Sequence, residues 1–238
     1  MTTATTAATA DSATTATTAT TAATEATATT AATATPSHTA ISPNILYFGT
    51  PVALLTTANE DGSANLAPVS STWALGQTVV LGLGRDGQTA RNLAARPELV
   101  INLPSPGLWE AVERLAPLTG ADPVPAAKRT RGYRYEPDKF AAAGLTPAPS
   151  ATVRPPRVAE CPLQLEARVR RITPDADGHF LIVECAVTRV HADRSIVVPG
   201  TQHIDPTVWS PLIFNFRHYQ GLAPELGHCF TSETPTSR

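Results

Sequence analysis

Gly82-Leu83-Gly84-Arg85-Asp86-Gly87 spells G-x-G-x-x-G and runs into Gln88-Thr89-Ala90-Arg91-Asn92. A loop that opens a helix offers N–H groups with no acceptor inside the helix, and the positive end of the helix dipole lies there. Both suit a phosphate. Arg85 would add a forked cation, and Thr89 and Asn92 stand one turn apart on one helix face. Taken alone, the Thr and Asn fit a solvated helix face as well as a ligand site. A dinucleotide-binding unit would also need a second, parallel strand ending in an acid about 20 positions on. The next apolar run, Leu99-Val100-Ile101-Asn102-Leu103, ends at Pro104 with no acid, and the chain before the glycines reads as hairpins. The glycine pattern is therefore read as a phosphate loop outside a dinucleotide fold.

Other chemistry is sparse. His191 with Asp193 and His203 with Asp205 match no compact ligand spacing, so no metal is expected. No Gly-x-Ser-x-Gly elbow nominates a nucleophile. Cys161, Cys185 and Cys229 are odd in number and far apart, which fits a reducing cytoplasm better than a disulfide framework. Eighteen Lys and Arg against 20 Asp and Glu give a net charge of −2, which favours neither nucleic acid nor a membrane surface as partner. The basic cluster Lys128-Arg129-Thr130-Arg131 with Arg134 is short and diluted by acids, as in a solvated loop. No apolar stretch approaches the length of a bilayer span.

The elements that must position the loop begin after a Thr/Ala-rich tail, residues 1–40. After Met1 its Thr/Ala run contains no large apolar side chain, so a fluctuating segment is expected. Residues 41–230 are expected to form one domain and 231–238 a short polar tail. Thr50–Thr57 reads as a strand, Asn59-Glu60-Asp61-Gly62 as a hairpin turn, and the return from Asn65 as an irregular or edge strand because it contains Pro68. Thr78–Leu83 is apolar enough to be buried on both faces. Gln88–Arg96 reads as a short helix, and Leu99–Leu103 as a strand. Residues 104–160, rich in Pro, Gly and Ala, form an excursion with a helical face at Trp109, Val112 and Leu115. Leu163–Arg170 alternates as a strand with one face to solvent. Phe180–Val187 and Leu212–Phe216 are further strands. Hairpins with few helices predict a mainly β fold, a barrel with short helices, since closure removes exposed edges.

The order of these pieces resembles flavin reductase-like, FMN-binding split β-barrel proteins over about residues 45–220. The segments carrying the likeness are Pro51–Thr57, Asp61-Gly62, Asn65–Ser71, Thr89-Ala90-Arg91-Asn92 and Val100-Ile101-Asn102. Asp138-Lys139-Phe140, Ala143–Thr146 and Glu160–Leu163 continue it. The resemblance implies FMN at a homodimer interface, its phosphate held around Arg85, Gln88, Thr89 and Asn92. The segment Asn65, Ala67, Pro68, Val69, Ser70, Ser71 and Thr72 would line the isoalloxazine ring. Trp73, Arg217 and His218 become candidates for substrate contact, though a core residue and a solvated strand end describe them equally well. Two departures stand out. Gly87 occupies the place where many members carry a phosphate-binding Lys, and Arg85 is expected to supply the missing charge. Asp177-Gly178-His179 keeps the His that family members hold near the nicotinamide but alters its surroundings, so His179 is a catalytic residue or a turn residue. The implied function is an FMN-binding oxidoreductase, foremost an NAD(P)H-dependent flavin reductase. The alternatives are a flavoprotein oxygenase or reductase acting on an organic substrate, and a non-catalytic flavin-binding protein.

Overall fold

The computed structural model describes residues 37–227 and Cys229. The expected tails up to residue 36 and over 231–238 lie outside these residues. Residues 37–42 carry no helix or strand, and Pro43 opens the compact unit described below. Its first β run is two strands, β1 (Phe48–Pro51) and β2 (Ala53–Ala58). Val52 separates them because its N–H leaves the ladder to donate to Leu212 O at 2.8 Å. Gly62, at φ +86°, turns the chain into β3 (Ala64–Val69). Next come β4 (Thr72–Leu75), β5 (Thr78–Gly84), α1 (Gln88–Ala95) and β6 (Glu98–Leu103). The excursion holds α2 (Trp109–Leu115), α3 (Ala126–Arg129), α4 (Lys139–Ala143), β7 (Pro147–Ala148) and β8 (Arg157–Val158). β9 (Leu163–Pro174) and β10 (Phe180–Ala192) form a long hairpin, and β11 (Ile213–Asn215) and β12 (His218–Gln220) a short one.

Seven strands form one antiparallel sheet in the order β3-β2-β6-β9-β10-β5-β4. Its two edge strands, β3 and β4, are joined by Ser70 and Ser71 alone. Two residues cannot cross the width of an open seven-stranded sheet at about 4.8 Å per strand. The sheet must curl until its edges meet, which makes a split barrel. Gly82 N donates to Ser71 O at 2.7 Å, one step beyond the Thr72–Leu81 pair of β4 and β5, and a Cβ on Gly82 would stand 2.9 Å from Ser71 Cβ. The first glycine of the G-x-G-x-x-G pattern thus serves a close strand contact. No parallel partner lies beside β5, whose neighbours β4 and β10 are both antiparallel, in keeping with the rejection of a dinucleotide fold.

Leu55, Leu81, Leu83, Leu99, Ile101 and Val183 fill the barrel, with Leu93 of α1 closing one end. The opposite face of β2 and β3 is also dry. Leu54 and Leu66 lie under Val112, Leu115, Phe140 and Ala143 of the excursion, which has too little apolar mass for a core of its own and uses the barrel wall. Two expectations need correction. β5 buries only one face: Val79, Leu81 and Leu83 point inward while Thr78 is exposed and Val80 half-buried. Conversely, the polar face of β9 does not begin in solvent. Gln164 and Glu166 are buried because the excursion folds across them. Among the described residues no helix is long and apolar enough to cross a membrane.

Candidate functional site

α1 starts at Gly87 with no side chain capping its first turn. Its apolar Leu93 is drawn into the barrel, which turns Thr89 and Asn92 toward the β2–β3 hairpin and buries both. The hairpin meets them with polar residues. Asn65 pairs with Thr57 across the strands, and Asn59 follows at the turn. Asn65 Nδ2 donates to Thr57 Oγ1 at 3.2 Å and to Thr89 Oγ1 at 3.1 Å. Asn92 Nδ2 donates to Thr57 Oγ1 at 3.0 Å and to Asn59 Oδ1 at 2.9 Å. Gln88 Nε2 reaches Asn92 Oδ1 at 2.9 Å. Thr89 and Asn92 therefore do not form a solvated face; they belong to a buried polar cluster.

Two cations meet this cluster: Arg96, just past α1, donates to Asn92 Oδ1 at 3.2 Å, and Lys139 enters from the excursion. Asp138 caps α4 by accepting from Ala141 N at 3.1 Å, Gly144 ends the helix at φ +66°, and Phe140 and Ala143 pack inward. This anchoring carries Lys139 over β3, where Nζ donates to Asn65 Oδ1 at 2.6 Å. The Lys139 residue is only 4 % exposed. Burial, with Lys128 nearby, lowers its pKa to about 8, and Glu136 offsets part of that. Beside it opens a cavity of about 690 Å³, bordered by Asn59, Asn65, Gln88, Tyr135, Lys139 and Phe140. That volume lies within the usual range of small-molecule sites, about 300–1,000 Å³. An ammonium, the Thr89 hydroxyl and an uncapped helix start are donors that fit a phosphate-bearing ligand, while the amide N–H groups of Asn65, Gln88 and Asn92 are engaged within the cluster.

The structure brings together Asn65, Gln88, Thr89 and Asn92, but not Arg85. The Arg85 side chain is exposed and donates to Gly178 O at 3.3 Å, at the β9–β10 turn. His179 occupies the same turn and is exposed. Ala67, Pro68 and Val69 lie half-buried on β3, whose outer edge has no strand partner among the described residues, so Pro68 sits where a missing N–H costs no ladder bond. Ser70 and Ser71 form the seam, and Thr72 is buried at the start of β4. Trp73 is 58 % exposed on the outer barrel face. Arg217 and His218 are exposed at the β11–β12 hairpin. The loop residues Phe216 and Arg217 have φ of 45° and 69°, a left-handed pair that hairpins usually give to Asn and Gly. Phe216 N donates to Tyr47 O at 2.6 Å and helps hold that conformation.

Sequence reasoning missed Lys139, Thr57 and Asn59 as members of the cluster. The cap–apolar pattern of Asp138, Phe140 and Ala143 marks a short helix, but no local feature tells which β-strand receives Lys139. His191 has a structural partner: Nε2 meets Glu166 Oε1 at 2.6 Å. Asp193 and Asp205 bind their own turns through Ser195 and Thr207.

Residues 45–223 match the sequence profile of the flavin reductase like domain. The uncharacterized protein YdfE of Bacillus subtilis (strain 168) is 49% identical over 195 residues, covering 82% of this chain and 94% of that protein. Among solved structures, flavoredoxin of Desulfovibrio vulgaris (Miyazaki F) superposes with a TM-score of 0.67 at 21% identity, covering 83% of this chain and all of that one. Nitrilotriacetate monooxygenase component B from Bacillus cereus gives 0.64 at 19%, covering 82% of this chain and 100% of that one. At such identities these two structures speak for the fold.

Proposed function

The chain belongs to the flavin reductase-like family of flavin-dependent oxidoreductases, and from that premise we propose that it binds FMN and reduces flavin with electrons from NAD(P)H. The observation that carries the choice of FMN is the buried donor cluster of Asn65, Gln88, Thr89 and Asn92 at the edge of the cavity. Thr89, Gln88 and Asn92 would hold the phosphate. The open edge of β3 and the Ser70-Ser71 seam would offer backbone groups to the ring system, with Pro68 keeping that edge free of a further strand. When bound, the flavin supplies hydride acceptance and electron transfer; the protein supplies position and a dry environment. The apolar barrel wall and the excursion packed on β2 exclude water from one side of the cluster.

The second side falls to another copy of the chain. Trp73 and Leu75 on β4 and Phe180 and Ile182 on β10 are exposed. Ile182 pairs with Gly82 and Phe180 with Gly84, while Trp73 pairs with Val80, so these side chains share the outer face of β5 and its neighbours. A contiguous apolar face of this kind fits an isologous dimer contact. Light scattering should give twice the protomer mass. The buried free thiols Cys161 and Cys185 suit a reducing compartment, and the cytoplasm is the proposed location. Following NAD(P)H absorbance with and without added FMN tests the activity. Flavin-dependent consumption is expected, and no consumption with FMN, FAD or riboflavin would overturn the reading.

A further inference from the structure

Of the two buried charged residues among those described, Lys139 and Glu166, Lys139 has the fewer partners. Among the described residues it has one hydrogen bond, to the neutral amide of Asn65, and no salt bridge. Burying an ammonium without a counter-ion is costly, and ordinary folds place lysines at the surface. Lys139 nevertheless borders a cavity rather than a packed wall. It stands one side chain away from Thr89, with Asn65 accepting from Lys139 and donating to Thr89. Position 87, two before Thr89, is a glycine and brings no charge, and Arg85 is turned to Gly178.

Five acidic residues also border the cavity, Glu60, Asp61, Asp122, Glu136 and Asp138, and three of them are engaged locally. Asp61 accepts from Ser63 N and Oγ, Asp138 caps α4, and Glu136 accepts from Asp138 N. Glu60, Asp61, Asp122 and Asp138 are exposed, where water screens them. Among the residues that border the cavity, the one buried charge is the Lys139 ammonium, with Glu136 half-buried near it.

We propose that Lys139 is the counter-charge of the flavin phosphate and sets the preference for phosphorylated over unphosphorylated flavin. The excursion, through α4, thereby supplies the cation that the loop before α1 lacks. This inference rests on the reading of the site as a flavin site, and the lowered Lys139 pKa of about 8 is the cost expected of such a charge before an anion arrives.

The test is titration of the full-length apoprotein with FMN and with riboflavin, for wild type, Lys139→Met and Lys139→Arg. A charged hydrogen bond to phosphate corresponds to a loss of about 10- to 100-fold in FMN affinity in Lys139→Met. Riboflavin should change by less than about threefold, and Lys139→Arg should keep most of the FMN preference. If wild type prefers FMN and Lys139→Met keeps that preference, the inference is overturned while the Thr89 and Asn92 site stands. If wild type binds both flavins equally, the phosphate reading itself fails. Equal losses of both flavins in Lys139→Met would make Lys139 a folding residue and overturn the inference. Should that variant not fold, Lys139→Gln, which keeps a donor toward Asn65 without the charge, decides between the same outcomes.

Discussion

Two ionisable groups are taken out of water by different parts of the excursion, and the fold treats them differently. Glu166 on β9 is fully buried beneath residues 151–152, yet every part of its carboxylate is satisfied. It accepts from Ala151 N at 2.7 Å, from Thr152 N and Oγ1 at 2.5 Å each, and meets His191 at 2.6 Å. Burial alone would raise its pKa, but these donors outweigh burial and hold it at about 2. Lys139 on α4 has one neutral acceptor and a cavity beside it. A saturated buried charge is a fastener: Glu166 ties the 149–157 segment to the barrel. An unsaturated one beside a cavity is a place for a ligand. Burial alone would have nominated both groups; counting partners separates them.

The largest contrast is in stability. Glu166→Leu leaves two N–H groups, a hydroxyl and an imidazole without their acceptor, and breaking such a buried set costs about 3–5 kcal/mol. Lys139→Met removes an uncompensated charge but also the donor to Asn65 Oδ1, and because the two effects offset it should cost no more than about 1 kcal/mol. Urea unfolding measures both. Similar losses at the two positions would dissolve the distinction.

The two groups should also respond to pH in separate windows, although stability rises with pH in both, because folding lowers both pKa values. The Glu166 pKa is depressed from 4.5 to about 2, so its contribution is full above pH 4.5 and is lost as pH falls toward 2. At 1.36 kcal/mol per pH unit this amounts to at most about 3 kcal/mol, visible as the difference between wild type and Glu166→Gln. The Lys139 pKa is lowered from 10.5 to about 8. Between those values the unfolded chain holds the proton more tightly than the native one, so apoprotein stability rises with pH over that window, again by at most about 3 kcal/mol. Lys139→Met should abolish the rise. A wild-type curve that stays flat in alkali would mean the ammonium is better solvated than its burial implies.

The smallest effect belongs to Arg85. Because its guanidinium serves Gly178 at the β9–β10 turn, Arg85→Ala should shift FMN affinity by less than about threefold, within the usual range for surface substitutions. A tenfold loss would return Arg85 to the phosphate and weaken the case for Lys139.

Legibility in the sequence followed the range of the contacts. Asn59–Gly62, Gln88–Ala95 and the β9–β10 turn are set by local chemistry and could be read directly. Pro68 marked an edge strand because only an edge tolerates it. Hairpin order was enough to expect a barrel, but not where it closes: that β3 and β4 are opposite edges joined by two residues is a long-range fact. The site divided likewise. Thr89 and Asn92 share a helix face that spacing reveals, whereas Lys139 meets Asn65 from 74 residues away. Glu166 looked solvent-facing because alternation reports which face a residue takes and says nothing about what later covers that face. Arg85 had the right chemistry and lay close in sequence, but its side chain follows β5 toward the hairpin and not the helix toward Asn65.

The central claim is that the cluster around Thr89 recognises a phosphate-bearing flavin, and equilibrium titration of wild-type apoprotein with FMN and riboflavin tests it most directly. Two or more charge-assisted hydrogen bonds, at about 1.5–3 kcal/mol each, predict that FMN binds at least about 100-fold more tightly. Thr89→Val should reduce that ratio by about 10-fold or more by removing one donor. Equal affinities for the two flavins, or a ratio that Thr89→Val leaves untouched, would contradict the account.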